Sequence, residues 1–187
     1  MATAALRWTS ADLEVLPDDG KQYEIIDGEL YVSRKPDLEH QLTSGHIFVA
    51  LHQWSRATGS GVAIIEPGII FAEDDDVAPD VVWVSHSRLA AIRGTDGKLH
   101  AAPELVVEVL SPGATNERRD REAKLKLYSR QGVHEYWIAD WQHRQVQAFR
   151  RQNAALHLAA TLFAQDILES PLLPGFSCPV ADLFPAA

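Results

Sequence analysis

Two acidic residues lie at positions where their carboxylates could hold a metal ion. Asp80 follows a proline and opens the apolar run 81–84, so it lies at the mouth of a predicted strand. Glu108 lies within the near-continuous apolar run 104–110, where a buried charge needs a partner or a metal. Carboxylate oxygens are the ligands that hard divalent cations prefer. The two positions therefore indicate a site for Mg²⁺ or Mn²⁺.

A basic helix is predicted to follow the strand that holds Glu108. Asn116 is a candidate cap and Gly132 a candidate stop, with helix-forming residues between them. At α-helical spacing, Lys124 and Tyr128 share a face with Arg121. We expect Lys124 to approach the carboxylates and Arg121 to bind a neighbouring phosphate.

These residue types match the chemistry of phosphodiester hydrolysis. The reaction needs a cation held by oxygen ligands, a water made more acidic by that cation, and a positive group for the developing charge. Asp80 and Glu108 supply ligands, and Lys124 supplies the charge. A backbone carbonyl near Val109 is a candidate third oxygen.

Each of these residues also has a purely structural explanation. Asp80 could cap a turn, and Glu108 could pair with an arginine in the core. Asp120 and Lys124, four residues apart, could form an exposed ion pair contributing only about 0.3 to 0.5 kcal/mol. Three segments follow one another in the chain: the strand opened by Asp80, the strand that holds Glu108 and the helix that carries Lys124. This order favours a functional site over the structural explanations.

Most of the chain resembles the Uma2 family of restriction-endonuclease-like proteins, whose signature is Pro-Asp followed by Asp/Glu-x-Lys. The resemblance rests on the three segments above and on further matching positions: residues 23–30, His40-Gln41, Pro112 and residues 132–138. The position two after Glu108 is Leu110, so the lysine of that signature is absent from the strand. In the family pattern the lysine is instead carried by the following helix, and that position matches Lys124.

The resemblance implies a DNA endonuclease that uses Mg²⁺ or Mn²⁺. It draws attention to His40, for which a hydrogen bond at the start of a helix is an equal alternative. For Glu24, two roles are equal alternatives: an auxiliary contact to metal or water, and a cross-strand salt bridge. Cutting both strands would need two sites related by twofold symmetry, so a homodimer is expected if double-strand breaks are the product.

The pattern of elements predicts an α/β (α+β) fold, with a mixed central β-sheet flanked by helices, in a single domain over residues 1–187. A hairpin over residues 23–33 turns at Asp27-Gly28, and residues 39–58 form an amphipathic helix. The predicted strands are 62–65, 68–71, 80–84, 104–110, 133–139 and 145–150. Short strands are expected in 156–168, and a helical turn in 180–184.

The composition bears on disulfide formation, on cellular location and on calcium binding. A lone cysteine, Cys178, excludes an intramolecular disulfide and reads as a buried structural thiol. Met1 is not followed by a signal-like segment, and no apolar run approaches the roughly 20 residues of a membrane helix, so a cytoplasmic protein is expected. The acidic run 73–76 is typical of a solvated hairpin tip rather than a calcium loop.

The net charge of −9 argues against a strongly basic nucleic-acid surface. Residues 116–130 reverse the balance locally, with six basic side chains against three acidic ones. That segment is either a solvated face or a phosphate-facing helix. Two functions besides a DNA endonuclease stay open: a non-catalytic module that binds nucleic acid or a partner protein, and an enzyme acting on another phosphoester.

Overall fold

The computed structural model describes residues 6–186. Its helices are α1 (Ser10–Leu13), α2 (Leu38–Thr58), α3 (His86–Ile92), α4 (Ala114–Arg118) and α5 (Leu125–Gln131), with a π-helical turn (Arg119–Lys124) between α4 and α5. The strands are β1 (Gln22–Ile26), β2 (Glu29–Ser33), β3 (Gly61–Ile65), β4 (Ile69–Ala72), β5 (Asp75–Val77), β6 (Val81–Ser85), β7 (Leu105–Val109), β8 (Glu135–Asp140), β9 (Gln145–Gln152), β10 (Ala155–Phe163), β11 (Ile167–Glu169) and β12 (Ser177–Pro179). A 3₁₀ turn, Val180–Leu183, follows β12.

The central sheet has six strands in the order β10-β9-β8-β7-β6-β3. Only β7 and β8 run parallel, and the other neighbours are antiparallel. A second sheet of four strands has the order β2-β1-β5-β4. The predicted mixed sheet flanked by helices is therefore confirmed.

Residues of β7 alternate between two hydrophobic clusters. Val107 and Val109 pack with Ile47 and Leu51 of α2. Val106 packs in the other cluster, which includes Leu127 of α5. Because successive side chains of a strand point to opposite faces, Glu108 faces the same side as Val106, toward α5.

The hairpin of β1 and β2 turns where the sequence predicts. Asp27 and Gly28 both have positive φ, 53° and 75°, as a two-residue type I′ turn requires. The turn fixes the register that pairs Glu24 with Tyr31. Glu24 therefore has no charged residue directly opposite it, so the cross-strand salt bridge does not form.

The basic helix differs from its prediction in two respects. It begins at Ala114, after Gly113, whereas Asn116 lies inside the helix and its Nδ2 donates to the Pro112 carbonyl at 3.0 Å. Residues 119–124 form a π turn instead of continuing the α-helix. Its hydrogen bonds close five residues apart rather than four, which changes the faces on which the following side chains lie. The helix ends at Gly132 as predicted, with φ of 89°.

The acidic run does not form a solvated tip throughout. Asp75 and Asp76 belong to β5 and are buried, because each has a cationic partner. Arg130 donates to Asp75 at 2.7 Å, and Lys98 lies 3.3 Å from Asp76. Only the turn at Glu73 and Asp74, before β5, fits the predicted hairpin tip.

The other departures concern secondary structure away from the site. Helix α3 was not predicted, and β10 is nine residues long where short strands were expected. Cys178 is buried as predicted. Among residues 6–186, no helix is both long and apolar enough to span a membrane.

Candidate active site

The register of the central sheet brings Asp80 beside Glu108. Strands β6 and β7 pair Val81 with Val107 in antiparallel order. Asp80, one residue before Val81, is therefore adjacent to Glu108, one residue after Val107. Both side chains line a narrow cleft of about 20 Å³, which we term the carboxylate cleft. That volume suits one water or one ion.

Asp80 is fixed by the neighbouring strand. Its Oδ2 accepts a hydrogen bond from the Val109 amide at 2.7 Å, so the end of β7 orients the carboxylate. His40 Nε2, from the first turn of α2, lies 3.4 Å from the same oxygen. Asp37 caps this helix by accepting from the His40 amide at 2.9 Å.

Glu108 is held by two donors from the helix. Lys124 Nζ lies 2.9 Å from Glu108 Oε1, and the Tyr128 hydroxyl donates to that oxygen at 2.8 Å. All three side chains are almost entirely excluded from solvent. The structure therefore brings Lys124 to the carboxylates, even though no lysine follows Glu108 on the strand.

Glu24 joins the same group from β1. Its Oε1 lies 2.9 Å from Lys124 Nζ and accepts from the Ala78 amide at 3.0 Å. Its Oε2 lies 3.6 Å from the Arg119 guanidinium. Lys124 Nζ is thus held between the carboxylates of two strands in different sheets.

Glu24, Glu108 and Lys124 belong to a buried cluster of charged residues. Two further members of this cluster, Arg119 and Asp120, could not be recognised from the sequence. Asp120 is fully buried rather than in an exposed ion pair, and it accepts from Arg119 Nε at 2.9 Å. Lys124 Nζ is 3.9 Å away, and the Tyr136 hydroxyl donates to the Asp120 backbone carbonyl at 2.9 Å. The π turn places Arg119, Asp120 and Lys124 on the buried side together, and no sequence signal marks a π turn.

Arg121 is not brought into the carboxylate cleft. Its guanidinium lies 3.3 Å from Asp140 Oδ2 and also donates to Gln147. The expected common face with Lys124 assumed continuous α-helical spacing, which the π turn interrupts. The predicted phosphate contact of Arg121 would require these interactions to break.

With all of its side chains ionised, the cluster would carry more negative than positive charge. Four carboxylates, those of Glu24, Asp80, Glu108 and Asp120, face two permanent cations, Arg119 and Lys124. Burial raises the pKa of Glu108 to about 8, against the opposing effect of Lys124, and Asp80 raises it further. Burial also raises the pKa of Asp120, against the effects of Lys124 and Arg119. Additional positive charge would stabilise this group in its ionised form.

His40 can supply part of that charge. Burial lowers its pKa, but the adjacent Asp80, together with Asp37 and the Val109 backbone, raises it by more, so that the net pKa is raised. A protonated His40 would place its positive charge beside Asp80 Oδ2.

The oxygen donors fit a small divalent cation. Among the described residues, no group of three or more His, Cys, Asp or Glu side chains is arranged to hold a metal. Mg²⁺, however, typically uses one or two carboxylates and completes its shell with water and substrate phosphate. Asp80 and Glu108 could provide those carboxylates, and Val109 also lines the cleft.

Replacing Tyr128 by Phe tests whether its hydroxyl positions Glu108. We expect a loss of about 1 kcal/mol in the free energy of unfolding, because one buried hydrogen bond is removed. Divalent-metal affinity should also fall by about 10- to 100-fold, as is typical when the support of a metal ligand is lost. Chemical denaturation and metal titration measure the two effects.

Tyr136→Phe is the matched control, because it also removes a buried hydroxyl donor. It should cost similar stability and leave metal affinity unchanged. Equal metal affinity in wild type and Tyr128→Phe would contradict the positioning role.

The comparisons with known proteins concern the fold and the family. A structure described as a "putative nuclease belonging to DUF820" from Anabaena variabilis superposes with a TM-score of 0.73 at 19% identity, covering 94% of this chain and 97% of the other. The type IIG restriction endonuclease BpuSI matches with a TM-score of only 0.40 at 16% identity, covering 75% of this chain and 14% of BpuSI. No curated protein matches in sequence. The first likeness establishes the fold.

Fold and sequence together define a nuclease-like protein of the restriction-endonuclease class. The model of the Uma2 family, described as "Putative restriction endonuclease", matches residues 10–181. The chain belongs to the Uma2 family.

Proposed function

We propose that this protein is a Mg²⁺- or Mn²⁺-dependent endonuclease that hydrolyses DNA phosphodiester bonds. The observation that carries the proposal is the carboxylate cleft, where Asp80 and Glu108 share a small space with Lys124 Nζ. When all four carboxylates are ionised, the excess of negative charge at this cluster would match a divalent cation. The family supports a nuclease.

Each residue has a role that follows from its position. Asp80 and Glu108 hold the cation, with the Val109 carbonyl as a candidate third oxygen. When bound, the cation would acidify a water and neutralise charge on the phosphate. Lys124 stabilises the charge that develops on the phosphate and helps to orient the attacking water. Glu24 holds Lys124 Nζ at 2.9 Å, and His40 balances the charge of Asp80.

One observation favours a second function. Lys124 is already paired with Glu24 and Glu108, so the cluster could be a structural ion network. In that case the same fold would bind nucleic acid or a partner protein without cutting. The two functions differ in their response to metal.

The discriminating experiment measures cleavage of supercoiled, linear and single-stranded DNA at low salt with Mg²⁺, with Mn²⁺ and with a chelator. Metal-dependent cutting by the wild type that Asp80→Ala abolishes would support the nuclease. Absence of cutting on all three substrates, together with retained binding, would support the non-catalytic module. RNA in the same panel decides between the two nucleic acids.

Metal binding should also raise the stability of the wild-type protein. A cation that binds only the folded state adds about 2.7 kcal/mol at 100 times its dissociation constant. Thermal unfolding with increasing Mg²⁺ is therefore expected to shift upward in the wild type and not in Asp80→Asn. An equal shift in both proteins would place the cation elsewhere.

Double-strand cleavage would require a second site. We therefore expect a homodimer if the products are double-strand breaks. Light scattering gives the mass in solution, and nicked products from a monomer would contradict the dimer.

A further inference from the structure

The basic helix segment offers few free cations to a phosphate. All six of its basic side chains lie within 4 Å of a carboxylate. The shortest of these ion pairs are Arg130–Asp27 at 2.5 Å and Arg130–Asp75 at 2.7 Å. The local excess of positive charge in the sequence is therefore already neutralised by carboxylates from other parts of the fold.

A few cations elsewhere have no such partner. Within residues 6–186, four basic side chains make neither an ion pair nor a hydrogen bond: Arg34, Lys35, Arg56 and Arg93. Arg34 and Lys35 are consecutive and exposed, in the loop between β2 and α2. This pair is the largest local concentration of unneutralised positive charge among the described residues.

The pair lies at the edge of the candidate active site. Arg34 lines the carboxylate cleft and also an adjoining groove of about 450 Å³, which we term the loop groove. Gln22 and Pro36 also line both spaces, so the two are neighbours. Lys35 lines the loop groove beside Lys21, whereas Glu66 is its one acidic lining residue.

The Lys35 side chain lies against Gly20 in the wall of this groove. A Cβ at Gly20 would lie 3.4 Å from Lys35 Cε and 3.9 Å from its Nζ. Gly20 has a φ of 76°, which a larger residue rarely adopts. The backbone conformation therefore favours glycine at position 20, and Lys35 lies against it at ordinary van der Waals distance.

We propose that the loop groove binds the nucleic-acid strand next to the scissile bond, with Arg34 and Lys35 each neutralising a backbone phosphate. This inference rests on the proposed nuclease function and assigns its substrate-binding surface to this loop rather than to Arg121. Phosphate neutralisation supplies most of the sequence-independent affinity of nucleic-acid binding. In a protein of net charge −9, two free cations beside the cleft have a correspondingly large effect.

The groove also predicts the class of substrate. A polymer extends beyond the scissile phosphate and reaches both cations along the loop groove, whereas a small phosphodiester has a single phosphate, which would lie at the carboxylate cleft. Loss of Arg34 and Lys35 should therefore weaken binding of an oligonucleotide by a larger factor than it lowers hydrolysis of bis(p-nitrophenyl) phosphate.

The test compares Arg34→Gln/Lys35→Gln with Arg56→Gln/Arg93→Gln, which changes the total charge equally at cations that line neither space. Binding of a fluorescent single-stranded oligonucleotide is measured by anisotropy at several salt concentrations, with Ca²⁺ replacing Mg²⁺. For the first variant we expect affinity to fall about tenfold or more at 0.1 M salt. The slope of log K against log salt should fall by about 0.7 for each lost contact. The control variant should match the wild type.

Equal binding by the two double variants, or no binding by the wild type, would overturn the inference. Cleavage in Mg²⁺ is scored separately, so that the two proposals can fail independently. Wild-type cutting with unchanged binding in Arg34→Gln/Lys35→Gln would refute the loop groove and leave the nuclease intact. Binding that depends on the loop without any cutting would retain the groove and refute the nuclease.

Discussion

Asp80→Asn is expected to lower metal-dependent DNA cleavage by about a thousandfold. Asparagine keeps an oxygen that can accept from the Val109 amide, so the end of β7 should stay in place. The charge that holds the cation is lost, and several kcal/mol of transition-state stabilisation are lost with it. Single-turnover cleavage at saturating Mg²⁺ measures the effect.

Asp96→Asn makes the same chemical change in an exposed loop, where Asp96 contacts His100. Its cleavage rate should equal that of the wild type. Cleavage by Asp80→Asn within a few-fold of the wild-type rate would remove Asp80 from the catalytic machinery.

Lys124→Met is expected to abolish cleavage and also to destabilise the fold. Methionine fills much of the volume but leaves Glu24 and Glu108 buried without their shared cation. Removing one partner from a buried ion pair typically costs about 3–5 kcal/mol in the free energy of unfolding. Urea denaturation measures this loss.

Lys126→Met is the matched control two residues along, because Lys126 is 74% exposed in its pairing with Asp27. Its stability should change little. A second variant separates catalysis from folding: Lys124→Met/Glu108→Gln removes both charges of one pair and should recover part of the lost stability without any activity. Cleavage by either Lys124 variant at the wild-type rate would contradict its catalytic role.

The strands that carry the site could be predicted from local patterns. The apolar runs around Asp80 and Glu108 become β6 and β7, since a buried strand needs little beyond β-forming apolar residues and a breaker at its end. The Asp27-Gly28 turn likewise followed from local backbone preferences. These elements position both carboxylates.

The helical half of the site depended on information that the local sequence does not carry. Asp120 and Lys124 have the spacing of an exposed ion pair, yet burial against Glu24 and Glu108 places both in the interior. The π turn that allows this arrangement also turns Arg121 toward Asp140. Partners distant in sequence decide both outcomes, and they become visible only once the two sheets are packed together.

The unpaired loop cations were missed for a related reason. Counting charges along the sequence points to residues 116–130, where basic residues are most numerous. Folding neutralises that segment and leaves Arg34 and Lys35 free beside the cleft. Charge that is available to a ligand is therefore a property of the packed structure rather than of local composition.

The most direct test of the central claim is the position of a bound metal ion. A crystal soaked in Mn²⁺ should show an anomalous peak about 2.0–2.2 Å from carboxylate oxygens of both Asp80 and Glu108. The same crystal form of Asp80→Asn should lack it. A peak at another group of carboxylates, or none in the cleft at saturating Mn²⁺, would contradict the assignment of this cluster as the catalytic metal site.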